Sequence, residues 1–386
     1  MSPASQRVLM VGGGHAHVEV LRRFAQRRDE RVALTLVSPE SSLCYSGMLP
    51  GLVAGHYSPR ETHVELLPLA LSAGAAFLRD SVVAVDLRTR TATLATGRTE
   101  TFEMLSLDIG STPDVRVPGA AELTLPAKPF DAFLRTWTVW QTEALTGGVR
   151  AIAVVGGGAG GVELLLAMQH RLASTMRADT PRFALVTDQP TLLPTHAAAV
   201  RSRLGHILVE RGAVLHLASA AVAVEPGSIV VTHGRRIAVD RIVWATSAAA
   251  ASWPAASGLA CDGNGFVEVD DQLRSTSHAF VFAAGDCASQ RGHPRPKSGV
   301  FAVRQGPVLA ANLRRQAHAV ALRRYRPQRH ALALISTGNR HAIASRGRFV
   351  AEGDWVWRWK DRVDRAFMAR YAPPDDAAVL SADPES

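Results

Sequence analysis

The chain has 386 residues, a length that predicts two or three domains with well-buried cores. Hydrophobic residues make up 47% of it and charged residues 20%, the balance of an ordinary globular protein. The formal charge of +9 would suit nucleic acid, but no basic stripe with interleaved aromatics precedes residue 313, so we predict no nucleic-acid partner. Cys44, Cys261 and Cys287 are too far apart for a redox pair or metal-ligand spacing, which favours a reducing, cytoplasmic setting and no bound metal.

The first predicted strand stops at three consecutive glycines. Residues 8–11 form an apolar run, glycines occupy 12–14, and a helical pattern starts directly behind them. Gly12 permits a tight turn, Gly14 lets the backbone approach a pyrophosphate, and the helix N-terminus offers free N–H groups. His17 stands where the G-x-G-x-x-G pattern expects its third glycine, so this match alone is weak.

Residues 32–37 predict a second parallel strand, whose end normally carries an acid that binds ribose hydroxyls. Ser38 and Glu40 follow here. Either Glu40 reaches the ribose through a bent loop, or Ser38 donates a weaker hydrogen bond. Residues 41–61 are rich in glycine, proline and serine, which is typical of a ligand-lining loop or of a surface connector.

Three short strands are predicted over residues 81–109, separated by turns, and they favour an antiparallel meander inserted into a parallel sheet. The proline-rich passage 113–129 predicts a linker and a domain boundary, and a helix is expected over 131–143.

A second strand–glycine–helix unit follows 144 residues after the first, with every glycine of the pattern present. The strand covers 151–155, Gly156, Gly158 and Gly161 follow, and a helix continues from 162. Asp188 ends the next predicted strand and is the candidate ribose contact, while the choice between NADH and NADPH stays open. Two such units are hard to obtain by chance.

A later strand, over residues 279–283, ends at Gly285 and Asp286. This puts a carboxylate at the carboxyl edge of a parallel sheet, where ligands bind. From Pro296 the sequence predicts a loop and then a helix whose N-terminus suits an anionic ring edge.

The last part of the chain is strongly basic. Between residues 313 and 370, thirteen arginines and one lysine stand against four acids. A helix is predicted there, with Trp359, Val363, Phe367 and Tyr371 at every fourth position and Lys360, Arg362 and Arg365 on other faces. Such a helix predicts peripheral contact of residues 355–371 with an anionic membrane surface; the alternative is that the aromatics cover the core or a homodimer contact.

Together these motifs resemble the flavoproteins with two dinucleotide-binding domains, the pyridine nucleotide-disulfide oxidoreductase superfamily, which includes type II NADH dehydrogenases and sulfide:quinone oxidoreductases. The stretches concerned are GGGHAH at 12–17, MLSLDIGS at 104–111, GGGAGGVE at 156–163 and FVFAAGD at 280–286. GGGHAHVEVL, CYSGMLPGLVAGHY, PKSGVFAVRQGPVLAANL and WVWRWKDRVDRAFM are also similar to the flavin domain fused to selenophosphate synthetase in some bacteria.

The resemblance implies an α/β fold with two Rossmann-like FAD- and NAD(P)-binding domains, antiparallel β-meander insertions and a C-terminal α+β tail. The implied FAD-binding domain comprises residues 1–115 and 260–325. Residues 116–259 would form the NAD(P)-binding domain, and 326–386 a C-terminal interface or membrane-surface segment.

The resemblance also implies roles for individual residues. The FAD pyrophosphate would lie over Gly12 and Gly14, Asp286 would bind the ribityl chain, and Lys297 would stabilise charge on the reduced flavin. A nicotinamide dinucleotide would lie over the glycines of the second unit, near Glu163, whose alternative role is an ordinary helix ion pair. The remaining cofactor contacts implied by the matching stretches are His15, Ala16, His17, Ser38, Glu40, Val83, Gly110, Asp188 and Gly285.

The implied activity is hydride transfer from NAD(P)H to flavin N5, followed by two-electron delivery to an acceptor. Quinone-reducing relatives carry A-x-Q-Q-G, and residues 302–306 read AVRQG, which retains Gln305 as a candidate at a quinone site. Single Cys44, in the flavin-facing loop, is not expected to support disulfide reduction but is a candidate reactive thiol. The alternatives are a flavin enzyme that oxidises a reduced sulfur or selenium species, and a non-enzymatic redox-sensing flavoprotein. The expected location is cytoplasmic, at the inner face of the membrane if the tail is an anchor.

Overall fold

The computed structural model describes residues 5–176, 179–328 and 331–372. The elements of the first part are β1 (Gln6–Val11), α1 (His15–Gln26), β2 (Val32–Val37), β3 (Ser42–Cys44), α2 (Leu49–Val53), α3 (Pro59–Thr62), β4 (His63–Glu65), α4 (Leu66–Ser72), β5 (Ala76–Leu78), β6 (Val82–Asp86), β7 (Thr91–Leu94), β8 (Thr99–Thr101), β9 (Met104–Leu107), β10 (Thr112–Pro113), α5 (Ala120–Leu123), β11 (Leu125–Pro126) and α6 (Phe130–Leu145).

The second part continues with β12 (Ala151–Val155), α7 (Ala159–Thr175), β13 (Arg182–Val186), α8 (Ala198–Glu210), β14 (Val214–His216), β15 (Ala221–Glu225), β16 (Ser228–Val231), β17 (Arg236–Ala238), β18 (Arg241–Trp244), β19 (Ala248–Ala249), α9 (Trp253–Ala256), β20 (Val267–Val269), β21 (Val281–Ala283), β22 (Ala288–Gln290), α10 (Gly299–Ala317), β23 (Ala333–Ser336), β24 (Ala342–Arg346), β25 (Phe349–Gly353) and α11 (Asp354–Met368). Short 3-10 turns cover Thr232–Gly234 and Gly285–Cys287.

The first five-stranded sheet carries the opening glycine turn. Its strands are all parallel, in the order β21-β9-β1-β2-β5, so a strand from late in the chain completes a sheet that residue 6 begins. Helices α1 and α10 pack together over one face, around a core that includes Leu21, Phe24 and Phe282. Because both faces are covered, residues 8–11 of β1 and all of β9 are buried instead of alternating between buried and exposed.

A second parallel sheet, in the order β11-β18-β12-β13-β14, repeats this arrangement. Val155 pairs with Trp244 in the second sheet as Val11 pairs with Leu107 in the first. The predicted α/β class with Rossmann-like parallel sheets is therefore confirmed. In both units the carboxyl ends of the strands lie beside the glycine turn, which positions the candidate site.

The segment predicted as one meander divides between two sheets. Strands β6, β7 and β8 form an antiparallel sheet, but residues 104–107 leave it and pair in parallel with β1 and β21. The assignment of residues 104–109 to this meander was wrong, because all four residues of β9 are buried, as a central parallel strand requires. Two further antiparallel sheets are β15-β16-β17 and β23-β24-β25.

Helix α11 begins at Asp354, so the aromatic segment over residues 355–359 (WVWRW) lies inside the helix. Its buried face consists of Val356, Lys360, Asp364 and Phe367, whereas Val363 is 45% exposed. The prediction that Lys360 lies away from the packed face was wrong, because its ammonium group finds partners in the interior. Within the described residues no helix is both long and apolar enough to cross a membrane.

Candidate functional site

The opening turn packs tightly against the end of β9. Gly12 has a φ of +90°, and a Cβ there would lie 2.4 Å from the Asp108 carbonyl oxygen. A Cβ on Gly14 would lie 2.4 Å from the Asp108 carboxyl carbon. Both positions therefore require glycine, because a side chain at either would collide with Asp108.

Asp108 caps the N-terminus of α1. Its Oδ2 accepts hydrogen bonds from the backbone N–H groups of Ala16, at 2.7 Å, and His17, at 3.0 Å. Burial raises the pKa of Asp108 to about 7, the amide bonds oppose that shift, and the charge of Asp286 adds to it. Sequence reasoning missed Asp108, although an acid directly after a buried parallel strand is a visible signal.

His17 is fully buried and ties the turn to β9. One ring nitrogen bonds the Gly12 carbonyl oxygen at 2.6 Å and the other the Ser106 hydroxyl at 2.8 Å. Burial lowers the pKa of His17 to about 4, so the ring is neutral at neutral pH. His17 thus makes structural contacts at the position where the second unit has Gly161, whose Cβ would lie 2.1 Å from a turn carbonyl.

His15, the first residue of α1, is buried, and its Nε2 has no hydrogen-bond partner among the described residues. Burial lowers the pKa of His15 to about 4. A buried ring nitrogen without a partner is costly, which indicates a position that a ligand completes.

The turn after β21 forms the opposite side of this site. The N–H of Gly285 donates to Gln305 Oε1 at 2.7 Å, so buried Gln305 positions the turn. Asp286 Oδ2 accepts from Lys128 Nζ at 2.8 Å and from Ser111 Oγ at 3.2 Å. Lys128 and Ser111 were not predicted; they come from the linker and from the segment after β9, and only the sheet order brings them together.

Other predicted contacts lie around this centre. Lys297 Nζ donates to the Ala288 carbonyl at 2.7 Å and lies 3.7 Å from the Phe266 ring centroid, and burial lowers its pKa. Gly110, with a φ of +69°, borders open space. Val83 is on β6 with its side chain 48% exposed.

The two ribose candidates separate in space. Ser38 is buried at the end of β2, and its hydroxyl lies 3.2 Å from where a Cβ of Gly13 would be. Glu40 instead lies near Asp131, at the start of α6. The geometry favours Ser38 as the residue beside the glycine turn.

Cys44 lies directly across from His63 in the β3–β4 pair, and its side chain is buried. His63 Nε2 bonds Asp131 Oδ1 at 3.1 Å. That carboxylate, then the Cys44 thiol, raise the pKa of His63 to about 10, so the imidazole is charged at neutral pH. The other ring nitrogen, Nδ1, lies 2.8 Å from the Pro59 carbonyl oxygen, so both ring nitrogens have partners and the Cys44 thiol lies beside a charged imidazole.

The second glycine turn is more open. A Cβ on Gly156 would lie 2.1 Å from the Ala245 carbonyl oxygen, whereas Gly158 and Gly160 have nothing within 4 Å. The first turn of α7 contains no acid, and its N-cap makes no side-chain hydrogen bond. Asp188 is exposed beyond the end of β13. These free amides and this open space suit an anionic pyrophosphate.

Glu163, on α7, faces the C-terminal segment and is half-buried. Its Oε1 accepts from the Ser336 N–H at 2.8 Å. Loss of hydration raises the pKa of Glu163 to about 7, with Lys360 opposing the shift and Asp364 adding to it. Lys360 Nζ in turn donates to Asp364 at 2.6 Å and to the Gly47 carbonyl, which joins α11 to the loop over residues 41–61.

This fold and this pair of turns define a class of two-nucleotide oxidoreductases. The sequence matches the pyridine nucleotide-disulphide oxidoreductase family over residues 6–306, and the chain belongs to that family. It is accordingly an oxidoreductase, and the predicted cofactors, FAD and a nicotinamide dinucleotide, are those of the family. The residues fit FAD, because Gly12 and Gly14 form the tight turn before α1, the His15 nitrogen lacks a partner among the described residues, and the Asp286 carboxylate lies close enough to act on the pKa of His15.

Among its relatives is an NADH dehydrogenase-like protein of Mycobacterium tuberculosis, 30% identical over 294 residues, which cover 74% of this chain and 73% of that protein. The sulfide:quinone oxidoreductase of Aquifex aeolicus has a similar structure, with a TM-score of 0.79 at 17% identity, covering 99% of this chain and 96% of that one. NDH2 of Plasmodium falciparum, solved with NADH, gives a TM-score of 0.79 at 13% identity, covering 96% and 99% respectively.

Proposed function

We propose that the protein transfers electrons from NAD(P)H through FAD to a quinone-like acceptor. Bound FAD supplies the chemistry, by accepting hydride at N5 and releasing two electrons. The observation that carries the proposal is the second glycine turn, whose amides and open space are available to a second nucleotide. Membership of an oxidoreductase family favours an enzyme over the non-enzymatic redox-sensing flavoprotein.

The chain's own residues have separate tasks in this proposal. The turn at residues 12–14 and the first residue of α1, His15, bind the FAD pyrophosphate, and Ser38 contacts the adjoining ribose. Asp286, held by Lys128 and Ser111, accepts hydrogen bonds from the ribityl hydroxyls. Gln305 acts on this site by fixing the Gly285 turn.

Glu163 is assigned to proton exchange. Reduction and reoxidation move protons as well as electrons, and a carboxyl group whose pKa is about 7 can take up or release a proton at neutral pH. Glu163 lies at the meeting point of α7, the C-terminal segment and, through Lys360, the loop that contains Gly47.

A charge placed at the second turn tests the nucleotide assignment. Gly158→Glu adds a carboxylate where nothing lies within 4 Å, so the fold tolerates it while the nucleotide pyrophosphate is repelled. We expect flavin bleaching by NADH or NADPH to slow by about 100-fold or more, in line with the loss of a few kcal/mol, with FAD retained. Stopped-flow absorbance under anaerobic conditions measures it.

The matched control is Gly205→Glu, which adds the same charge on α8, also with nothing within 4 Å. NADH or NADPH should bleach the flavin of this variant at the wild-type rate. Equal rates for the wild type and Gly158→Glu would contradict the assignment of this turn.

The acceptor is proposed to be a quinone at a membrane surface. The name of the Aquifex relative supports a quinone, and the retained Gln305 of the AVRQG stretch is compatible with it. Trp355 and Val363 are 51% and 45% exposed on α11, with exposed Arg358 and Arg362 beside them. This surface suits anionic lipid, while a homodimer contact and a cytoplasmic location stay predictions.

A second candidate function is oxidation of a reduced sulfur or selenium species. The specific observation is that Cys44 lies opposite His63, whose imidazole is charged because it bonds Asp131. Because Cys44 is buried, only a small nucleophile such as sulfide or selenide suits this site. The similarity to the flavin domain of selenophosphate synthetase fusions remains a prediction that agrees with it.

Anaerobic addition of sulfide or selenide tests this candidate. If it holds, either compound bleaches the flavin, and Cys44→Ser abolishes that bleaching while reduction by NAD(P)H is unchanged. Cys261→Ser is the control and should leave both reactions intact. Absence of bleaching in the wild type would remove the candidate without affecting the first proposal.

A further inference from the structure

The two nucleotide units differ at one equivalent position. Asp108 directly follows the strand that pairs with β1, and Ala245 directly follows the strand that pairs with β12. Each presents its carbonyl oxygen to the first glycine of its turn, at 2.4 Å and 2.1 Å from a Cβ placed there. The fold therefore offers an internal comparison: the first unit has a carboxyl group at this position and the second has a methyl group.

The Asp108 carboxyl occupies space that two glycines leave free. A Cβ on Gly14 would lie 2.5 Å from its Oδ1, and a Cβ on Gly285 2.3 Å from the same oxygen. Oδ2 holds the N–H groups of Ala16 and His17. Asp108 is 3% exposed and fixed between α1 and the β21 turn, so it cannot swing away when a ligand arrives.

A second observation points to a ligand at the same helix terminus. His15 is 8% exposed, and its Nε2 lacks a partner among residues that the structure describes. Its ring lies 5.7 Å from the Tyr45 ring, and its Cε1 lies 3.9 Å from where a Cβ of Gly299, the first residue of α10, would be.

No cation forms an ion pair with Asp108 within the described ranges. On α1, His15 and His17 are neutral at neutral pH because burial lowers the pKa of each to about 4. On the β21 turn lie Asp286, which forms an ion pair with Lys128, and Cys287, whose pKa burial raises to about 12. The nearby cations are Lys128, bound to Asp286, and Lys297, bound to the Ala288 carbonyl.

We propose that Asp108 makes FAD binding proton-coupled, because a pyrophosphate at the α1 terminus requires the neutral carboxyl form, which then donates a hydrogen bond toward the phosphate. This inference rests on the proposed FAD site in the first unit. An ionised Asp108 would place a third negative charge against the pyrophosphate in a site shielded from water.

The direction of the pH effect follows by linkage. The pKa of Asp108 without FAD is about 7, and a bound pyrophosphate raises it further. Binding therefore takes up a proton, and FAD affinity falls as pH rises through about 7, by at most about tenfold per pH unit. Below that pH the carboxyl is already neutral and affinity is constant.

Equilibrium dialysis of the full-length holoprotein at a series of pH values tests this. The dissociation constant, from flavin fluorescence in the dialysate, should rise about tenfold or more between about pH 6 and about pH 9. Asp108→Asn keeps an acceptor for the two amides but cannot ionise, so its dissociation constant should be flat and below that of the wild type at high pH. Asp86→Asn, at the exposed end of β6, should retain the wild-type slope of the dissociation constant with pH.

Isothermal calorimetry in two buffers of different ionisation enthalpy provides an independent measurement on the wild type, which does not depend on the variant folding. Proton uptake on FAD binding above pH 7 is expected. A flat dissociation constant and no proton uptake in the wild type, with FAD bound, would overturn the role of Asp108. Failure of the wild type to retain FAD at any pH would instead overturn the proposed flavin site.

Discussion

Individual buried polar residues fix the geometry of both the fold and the site. His17, Asp108 and Lys360 are 0%, 3% and 7% exposed, although residues of these types are usually at least partly solvated. Each is buried because specific partners satisfy it: a carbonyl and a hydroxyl for His17, two amides for Asp108, and a carboxylate and a carbonyl for Lys360. Such partners come from distant parts of the chain, and sequence spacing does not reveal them.

At this scale the stability contribution of Lys360 can be tested. Lys360→Ala leaves the Asp364 carboxylate, which is 4% exposed, without its ion-pair partner, so we expect the free energy of unfolding to fall by about 3–5 kcal/mol. Urea denaturation followed by circular dichroism measures it. Arg236→Ala removes the exposed ion pair with Glu225 and should leave the midpoint unchanged. Equal midpoints for the two variants would contradict the buried-pair account.

At the scale of elements, local sequence patterns correctly predicted individual strands and helices, whereas they did not predict which distant strands pair. The glycine turns, with strands before them and helices behind, were predicted at both units and are observed. The assignment of β9 to the meander failed because parallel pairing with β1 and β21 depends on sheet order, which the sequence of neighbouring turns does not encode. Similarly, the helical period of α11 was visible, but which side faced the loop was not.

Helix α11 carries the membrane prediction at this scale. Trp355 and Trp359 stack with ring centroids 6.5 Å apart, and Val363 continues the exposed stripe. Trp355→Ser combined with Val363→Ser removes apolar surface while leaving the packed face unchanged, so co-sedimentation with anionic liposomes should fall severalfold.

The control is Val209→Ser, an exposed valine of α8, which should bind like the wild type. Undiminished binding of the double variant would reject this face as the membrane contact. Truncation of the tail is a poor test, since Tyr371 bonds buried Glu19 at 3.0 Å and Lys360 bonds the Gly47 carbonyl.

At the scale of the whole molecule, the family, the α/β class and the oxidoreductase activity were predictable. The sequence contains two glycine motifs and the turn at Gly285 and Asp286, which are recognisable without a structure. What was not predictable is which parts of the chain the C-terminal segment contacts. Residues 333–371 contact α7 through Ser336 and Glu163, and the loop at 41–61 through α11. The boundaries proposed for the domains stay predictions, and residues 333–371 pack against the rest of the described chain.

The central claim is that the two units pass electrons between two nucleotides and an acceptor. Anaerobic titration of the oxidised holoprotein with NADH and with NADPH, followed by flavin absorbance, tests it most directly. The account predicts that about one equivalent of at least one nucleotide bleaches the flavin and that a soluble quinone then restores the oxidised spectrum. A flavin that neither nucleotide bleaches, in protein that retains FAD, would contradict it.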